Sequence, residues 1–177
     1  MRRIEAMLSM GLFTLACAAM AGAQQTRTEA IQGMRKTKPS EMDPTYTKAA
    51  PFAQQLVDQA LAANPSVLLM AIHAAVPGHK NLIVASNFGR IGKIGDEDDM
   101  RCINTGKDNL EVDPTGKHFE AELPLQDKAG KTIGALGVVF NYKPGDDKIA
   151  MAKTAHAIAD TMKAQLPTEM SLLKPAN

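Results

Sequence analysis

HFEAELPLQDKAGKTIGALGVVFNY, residues 118–142, decides how this chain folds. In its first half Phe119, Ala121, Leu123 and Leu125 alternate with His118, Glu120 and Glu122, the two-residue period of a strand with one wet face. Asp127-Lys128-Ala129-Gly130 is a turn cluster. Thr132 to Tyr142 is apolar on both faces, as a central strand would be. Just upstream, a short strand near Leu110–Val112 turns at Asp113-Pro114-Thr115-Gly116. Three antiparallel strands therefore follow one another.

Working outward, Leu82–Ser86 and the run Val67–His73 flank the turn cluster Pro77–Asn81 and read as a β-hairpin. Before it, Ala49, Phe52, Ala53, Leu56, Val57, Ala60 and Leu61 recur at helical spacing, with Pro51 fitting the first turn and Asn64-Pro65 ending the helix. Asp96 caps a short helix to about Asn104, with Asp99 at its third position and Gly106 just past its end. Asp146 caps a long helix whose stripe is Ile149, Ala152, Ala155, Ile158, Ala159, Met162 and Leu166. This order describes an α+β fold, a central antiparallel five-stranded sheet flanked by N- and C-terminal helices.

The segment Leu123–Val139 resembles the last hairpin of extracytoplasmic PAS-like (Cache-type) sensor domains, in which a strand ends in D-x-x-G-K and the next begins I-G-x-L. The element order over residues 45–166 is similar too. The resemblance implies a ligand between one sheet face and the short helix and loop that cross it. Its wall would combine Met70 and Ile72, or Ala71 and His73, depending on strand phase, with Phe119, Val138, Phe140 and Tyr142. Arg90, Arg101 and Asn104 would come from the crossing segment. The same residues could instead simply fill a core. Nothing after residue 166 reads as a membrane span or signalling domain, so a free-standing sensor-like domain is expected.

The crossing loop is Ser86-Asn87-Phe88-Gly89-Arg90-Ile91-Gly92-Lys93-Ile94-Gly95. Glycines at every third position let backbone amides approach a ligand, and Arg90 and Lys93 can hold a carboxylate or phosphate. Asn87 and Arg90 are the expected polar anchors, and a small metabolite, anionic ones included, is the expected ligand. The spacing is loosely similar to the GxxG loop of nucleic-acid-binding KH domains, but charge balance argues against that use.

Other chemistry is weaker. Asp96-Glu97-Asp98-Asp99 cannot converge on calcium as an alternating loop does and reads as first-turn capping. His73, His79, His118 and His156 form no short-spaced metal pair. Ser86 and Cys102 lack the contexts of hydrolase nucleophiles, and Glu120 and Glu122 read as a solvated strand face. Neither a catalytic residue nor a metal or cofactor is expected.

The N-terminus reads as a cleavable export signal: Arg2 and Arg3, an apolar run from Met7 to Ala19, then Ala21-Gly22-Ala23. The run is shorter than a membrane span, so no transmembrane anchor is expected after cleavage. Cys17 leaves a lipoprotein reading open. The domain layout is therefore 1–23 signal peptide, 24–44 linker or flexible arm, 45–166 domain and 167–177 tail, in the periplasm or secreted. Cleavage removes Arg2, Arg3 and Glu5 and leaves 18 basic and 18 acidic side chains. That balance disfavours nucleic acid and anionic membrane as partners. It also leaves Cys102 as the one cysteine, expected as a buried small hydrophobe, without a possible intramolecular disulfide. The expected function is a small-molecule-binding module without catalytic activity. An envelope protein-interaction module and, further behind, a hydrolase are the alternatives.

Overall fold

The computed structural model describes residues 21–174. The expected export signal, Cys17 included, lies almost wholly outside those residues. Residues 24–44, expected as a linker or arm, hold most of a helix, α1 (described over 21–33), and a 3-10 turn at Pro39–Glu41. Arg27 on α1 is buried: Nε donates to the carbonyl of Val67 at 2.9 Å, and Nη2 to those of Leu61 and Asn64 at 2.9 and 3.1 Å. One guanidinium fork thus fastens this segment to the domain.

The elements that follow are α2 (Pro51–Ala63), β1 (Val67–Ala75), β2 (Asn81–Ser86), α3 (Glu97–Thr105), β3 (Asn109–Val112), β4 (His118–Gln126), β5 (Thr132–Asn141) and α4 (Lys148–Lys163). The five strands form one antiparallel sheet in the order β2-β1-β5-β4-β3. The fold is α+β, as the residue patterns require. In the expected tail, a 3-10 turn at Glu169–Leu173 buries Ser171 and Leu172, and the amide of Phe52 donates to the carbonyl of Lys174 at 3.2 Å.

Local chemistry explains the ends. Pro51 opens α2 at its first turn. Asp96 and Asp99 form a reciprocal capping box on α3, with Asp99 Oδ2 accepting from the Asp96 amide at 2.9 Å. On α4 the cap is Asp147, which accepts from the amides of Ile149 and Ala150 at 3.0 Å, whereas Asp146 accepts from the Lys143 amide and closes the preceding turn. Ile149, expected on the apolar stripe, is 70% exposed, because the buried face of α4 begins only at Ala155 and continues through Ile158 and Met162.

Strand alternation gives the sheet two different faces. One carries Met70, Ile72, Phe119, Leu123, Leu136 and Val138, all buried in the cluster built with α2 and α4. The other carries Ala71, His73, Glu120, Glu122, Gly137 and Val139 under α3 and the 87–95 loop. No helix among the described residues is long and apolar enough to cross a membrane.

Candidate functional site

The second face encloses a cavity of about 290 Å³. Its floor is a register-matched row: Ala71 pairs with Gly137 and Gly137 with Glu122. Small residues on β1 and β5 leave the space that the Glu122 carboxyl borders. Glu120, paired with Val139 on one side and Glu111 on the other, borders it one step along β4. The residue pattern predicts a solvated face for these two glutamates. The alternation was right, but the face lies beneath α3 and Glu122 is only 5% exposed.

α3 covers the cavity with Asp98 and Asp99 of its first turn, and the buried side of the helix carries Asp99 and Cys102. Asp99 both completes the capping box and reaches the cavity, where it hydrogen bonds with Glu122. Burial pushes the Glu122 carboxyl well above the usual carboxylate range, and the hydrogen bond with Asp99 and the charges of Asp99, Glu120 and Asp96 push the same way. Burial likewise raises Glu120 to about 7, helped by Glu111 and Asp99. His73 is 6% exposed, and desolvation lowers its pKa, which keeps the imidazole neutral despite Asp99. Its Nδ1 lies 3.3 Å from Asp99 Oδ2 but is not aligned for a hydrogen bond, and it has no other partner among the described residues.

The mouth is formed by the 87–95 loop, which the flanking chain holds tightly. The amides of Ile83 and Gly92 exchange hydrogen bonds with the carbonyls of Lys93 and Ile83 at 2.8 and 2.9 Å, and the Ile94 amide donates to the Glu41 carbonyl. Gly92 has φ +85°, and a Cβ there would collide with the Tyr46 carbonyl oxygen, so this position admits only glycine. Arg90 sits at φ 58°, the sole non-glycine residue with positive φ among the described residues. Such a conformation costs on the order of 1 kcal/mol or more and marks a position that its surroundings over-determine. Its guanidinium donates to the carbonyl of Arg35 and lies 5.8 Å from the Phe88 ring centroid. Lys93 pairs with Asp96 at 3.0 Å. At the far rim His118 Nδ1 meets Asp113 Oδ2 at 3.0 Å.

Of the residues expected to form a site, the cavity gathers His73 and Arg90, and Met70 borders it while its buried side chain belongs to the core. Asn87 works structurally: its Oδ1 accepts from the Met70 amide at 2.8 Å and its Nδ2 donates to the Leu68 carbonyl at 3.1 Å, which extends the β2–β1 pairing past the end of β2. Ile72, Phe119, Val138 and Phe140 lie in the opposite core, and Tyr142 is packed against it. Arg101 and Asn104 are exposed on α3, with Arg101 paired to Asp98 at 2.7 Å. The residues that sequence reasoning missed are Asp99, Glu120 and Glu122. For the two glutamates a signal was present, acids in alternation with apolar residues on β4; Asp99 is used by the capping box and carried none of its own.

The other titratable groups have structural employment. Cys102 is buried, its thiol pushed up to about 12 mainly by burial. The Ser86 hydroxyl donates to the Gly89 carbonyl. His79 pairs with Asp43 at 2.7 Å, and His156 is exposed and pairs with Asp108 at 2.9 Å. Among the described residues no three His, Cys, Asp or Glu side chains are arranged to hold a metal ion.

No protein-family model matches the chain, and neither does any curated protein. Solved structures do. The GAF domain of A. aeolicus nlh2 in an inactive state superposes with a TM-score of 0.50 at 13% identity, over 90% of this chain and 99% of that one. A type II free methionine-R-sulfoxide reductase from Thermoplasma acidophilum gives 0.45 at 18% identity, over 63% and 87%. The inducer-binding domain of the PobR transcription factor from Acinetobacter, in complex with 3-hydroxybenzoic acid, gives 0.40 at 12% identity, over 63% and 95%. At these identities the likeness to the first is one of fold: the chain has a GAF/PAS-like α+β architecture.

Proposed function

We propose that this chain is an exported, Cache-like sensor domain that binds a small molecule under α3 without transforming it. Export rests on the leader read in residues 1–23. The observation that carries the binding reading is the composition of the second sheet face. A sealed core would have large apolar side chains where Ala71, Gly137, Glu122 and His73 surround about 290 Å³ of space. That volume is at the small end of ligand sites, which run from roughly 300 to 1,000 Å³. Buried acids left without a cation are costly, so they are retained for contact with something. A role without catalysis is consistent with the occupied Ser86 hydroxyl and the protonated Cys102 thiol.

Thermal-shift screening of the full chain against amines, amino acids, organic acids and nucleobases tests this. At one hundred times its Kd a ligand stabilises by about 2.7 kcal/mol, which raises Tm by roughly 5–10 °C in a domain of this size. The rise should vanish in Gly137→Val, where a Cβ meets Glu120 Oε1 at 3.7 Å and further atoms enter the cavity. No shift with any class, or a shift that Gly137→Val leaves intact, overturns the proposal.

A further inference from the structure

We infer that the occupant is a small organic cation, whose protonated amine or guanidinium sits among the carboxyls of Asp99, Glu120 and Glu122 beside His73. The inference rests on reading this cavity as a ligand site, and four observations give the ligand its sign.

The first is the bookkeeping of charge around the cavity. Every basic group near it has an occupation: Lys93 with Asp96, Arg101 with Asp98, Arg90 with the Arg35 carbonyl, His118 with Asp113. Asp99, Glu120 and Glu122 have no lysine or arginine partner among the described ion pairs, although Asp99 and Glu122 are 4% and 5% exposed. An anion entering there would meet buried acids at contact distance, whereas a cation would complete them.

The second is His73. It is more than nine-tenths buried, it lines the cavity, and its Nδ1 has no hydrogen bond. A buried polar atom left open costs about 1–3 kcal/mol, and that loss is recovered when a ligand supplies the partner. A neutral imidazole offers one acceptor nitrogen, and a protonated amine or guanidinium is a pure donor. Donor-only ligand and acceptor-rich wall match.

The third is the failure of the simplest rival cation. No described trio of His, Cys, Asp or Glu closes on a metal ion, so the carboxyls suit a group that donates several directed N–H bonds better than a spherical ion. The fourth is size, since about 290 Å³ admits a molecule on the order of ten heavy atoms.

A proton linkage follows. Facing these carboxyls are His73 from β1, Glu111 from β3, and Asp96 with Lys93 from the approach to α3. Asp98, Asp113, His118 and Arg90 line the remaining rim. Without a ligand, Glu120 and Glu122 hold protons at pH values where free glutamates are ionised. A bound cation favours the ionised forms, so binding releases protons and tightens as pH rises through about 7.

Calorimetry on the full chain decides the matter, with agmatine, putrescine and arginine as cations, succinate and benzoate as anions, uracil as the neutral probe, and calcium and manganese chlorides. The expected result is that at least one organic cation binds. Its affinity should rise about fivefold from pH 6 to pH 7, and titrations in buffers of different ionisation enthalpy should report net proton release. Glu120→Gln and Glu122→Gln should each weaken it at least about tenfold, and Gly137→Val should abolish it. If succinate, benzoate or uracil binds, is blocked by Gly137→Val, and no organic cation binds, the cation inference falls and the cavity reading survives. Tight binding of a metal ion alone, or cation binding unaffected by both glutamine variants, also overturns it. If no probe binds, the cavity reading falls with it.

Discussion

Two adjacent rows of the same sheet have opposite jobs. In one, Ile72 of β1 pairs with Leu136 of β5, and Leu136 with Leu123 of β4. One residue away, Ala71 pairs with Gly137, and Gly137 with Glu122. Backbone, strand order and twist are common to both; only the phase differs. The first row has three branched apolar side chains and is sealed by α2 and α4. The second has a methyl group, a hydrogen atom and a buried acid, and its cover is a nine-residue helix and a loop. A period-two strand can thus build core and cavity at once, and side-chain volume decides which face becomes which.

The largest contrast is in stability. Leu136→Ala should cost about 2–5 kcal/mol, because Leu136 is fully buried in the packed core and the substitution leaves a cavity there. Gly137→Ala, the next residue, should cost less than about 1 kcal/mol, because its Cβ meets only Glu120 Oε1 at an ordinary 3.7 Å. Urea unfolding of the two variants measures both. Equal losses would break the comparison, since they would mean that the second face is packed as tightly as the first.

A smaller effect is expected from pH. Glu120 and Glu122 have folded-state pKa values above those of the unfolded chain, so the folded protein binds more protons than the unfolded one between the two values. Their contribution to stability is therefore complete below about pH 4.5 and is lost as pH rises through about 7 for Glu120 and further up for Glu122. The unliganded protein should lose stability on going from pH 5 to pH 8. Glu122→Gln should flatten that slope and raise stability at pH 8 by on the order of 1–3 kcal/mol. A slope unchanged by Glu122→Gln would mean that the carboxyl is solvated.

The fold was legible because the informative signals were local. The alternation of Phe119 to Leu125, the turn at Asp127–Gly130 and the caps at Asp96 and Gly106 each constrain only a few residues. The site was less legible because it depends on which sheet face α3 covers, and no local pattern contains that. The resemblance put Phe119, Val138 and Phe140 in the cavity wall, yet they lie in the core, and their sequence neighbours His118, Glu120, Gly137 and Val139 line the cavity. For β1 two phases stood open, and the pairing of Ala71 with Gly137 selects the one containing His73. Asp99 was accounted for by capping alone, and nothing in the run of four acids says that the third helical residue also faces inward.

The smallest effect concerns α3 itself. Arg101 and Asn104 looked like ligand contacts because they sit on the crossing helix, but at 100° per residue the inward positions are Asp99 and Cys102, three apart. Arg101 is exposed and forms an i,i+3 pair with Asp98. Arg101→Ala should change stability by no more than about 0.5 kcal/mol, because the pair is solvated and screened. It should leave the affinity of any cavity ligand within about twofold. Asp99→Asn, one face around the same helix, weakens the capping box and alters the cavity wall together. A tenfold loss of affinity in Arg101→Ala would mean that α3 turns its outer face toward the ligand on binding. The roof of the cavity would then be a moving part rather than a fixed lid.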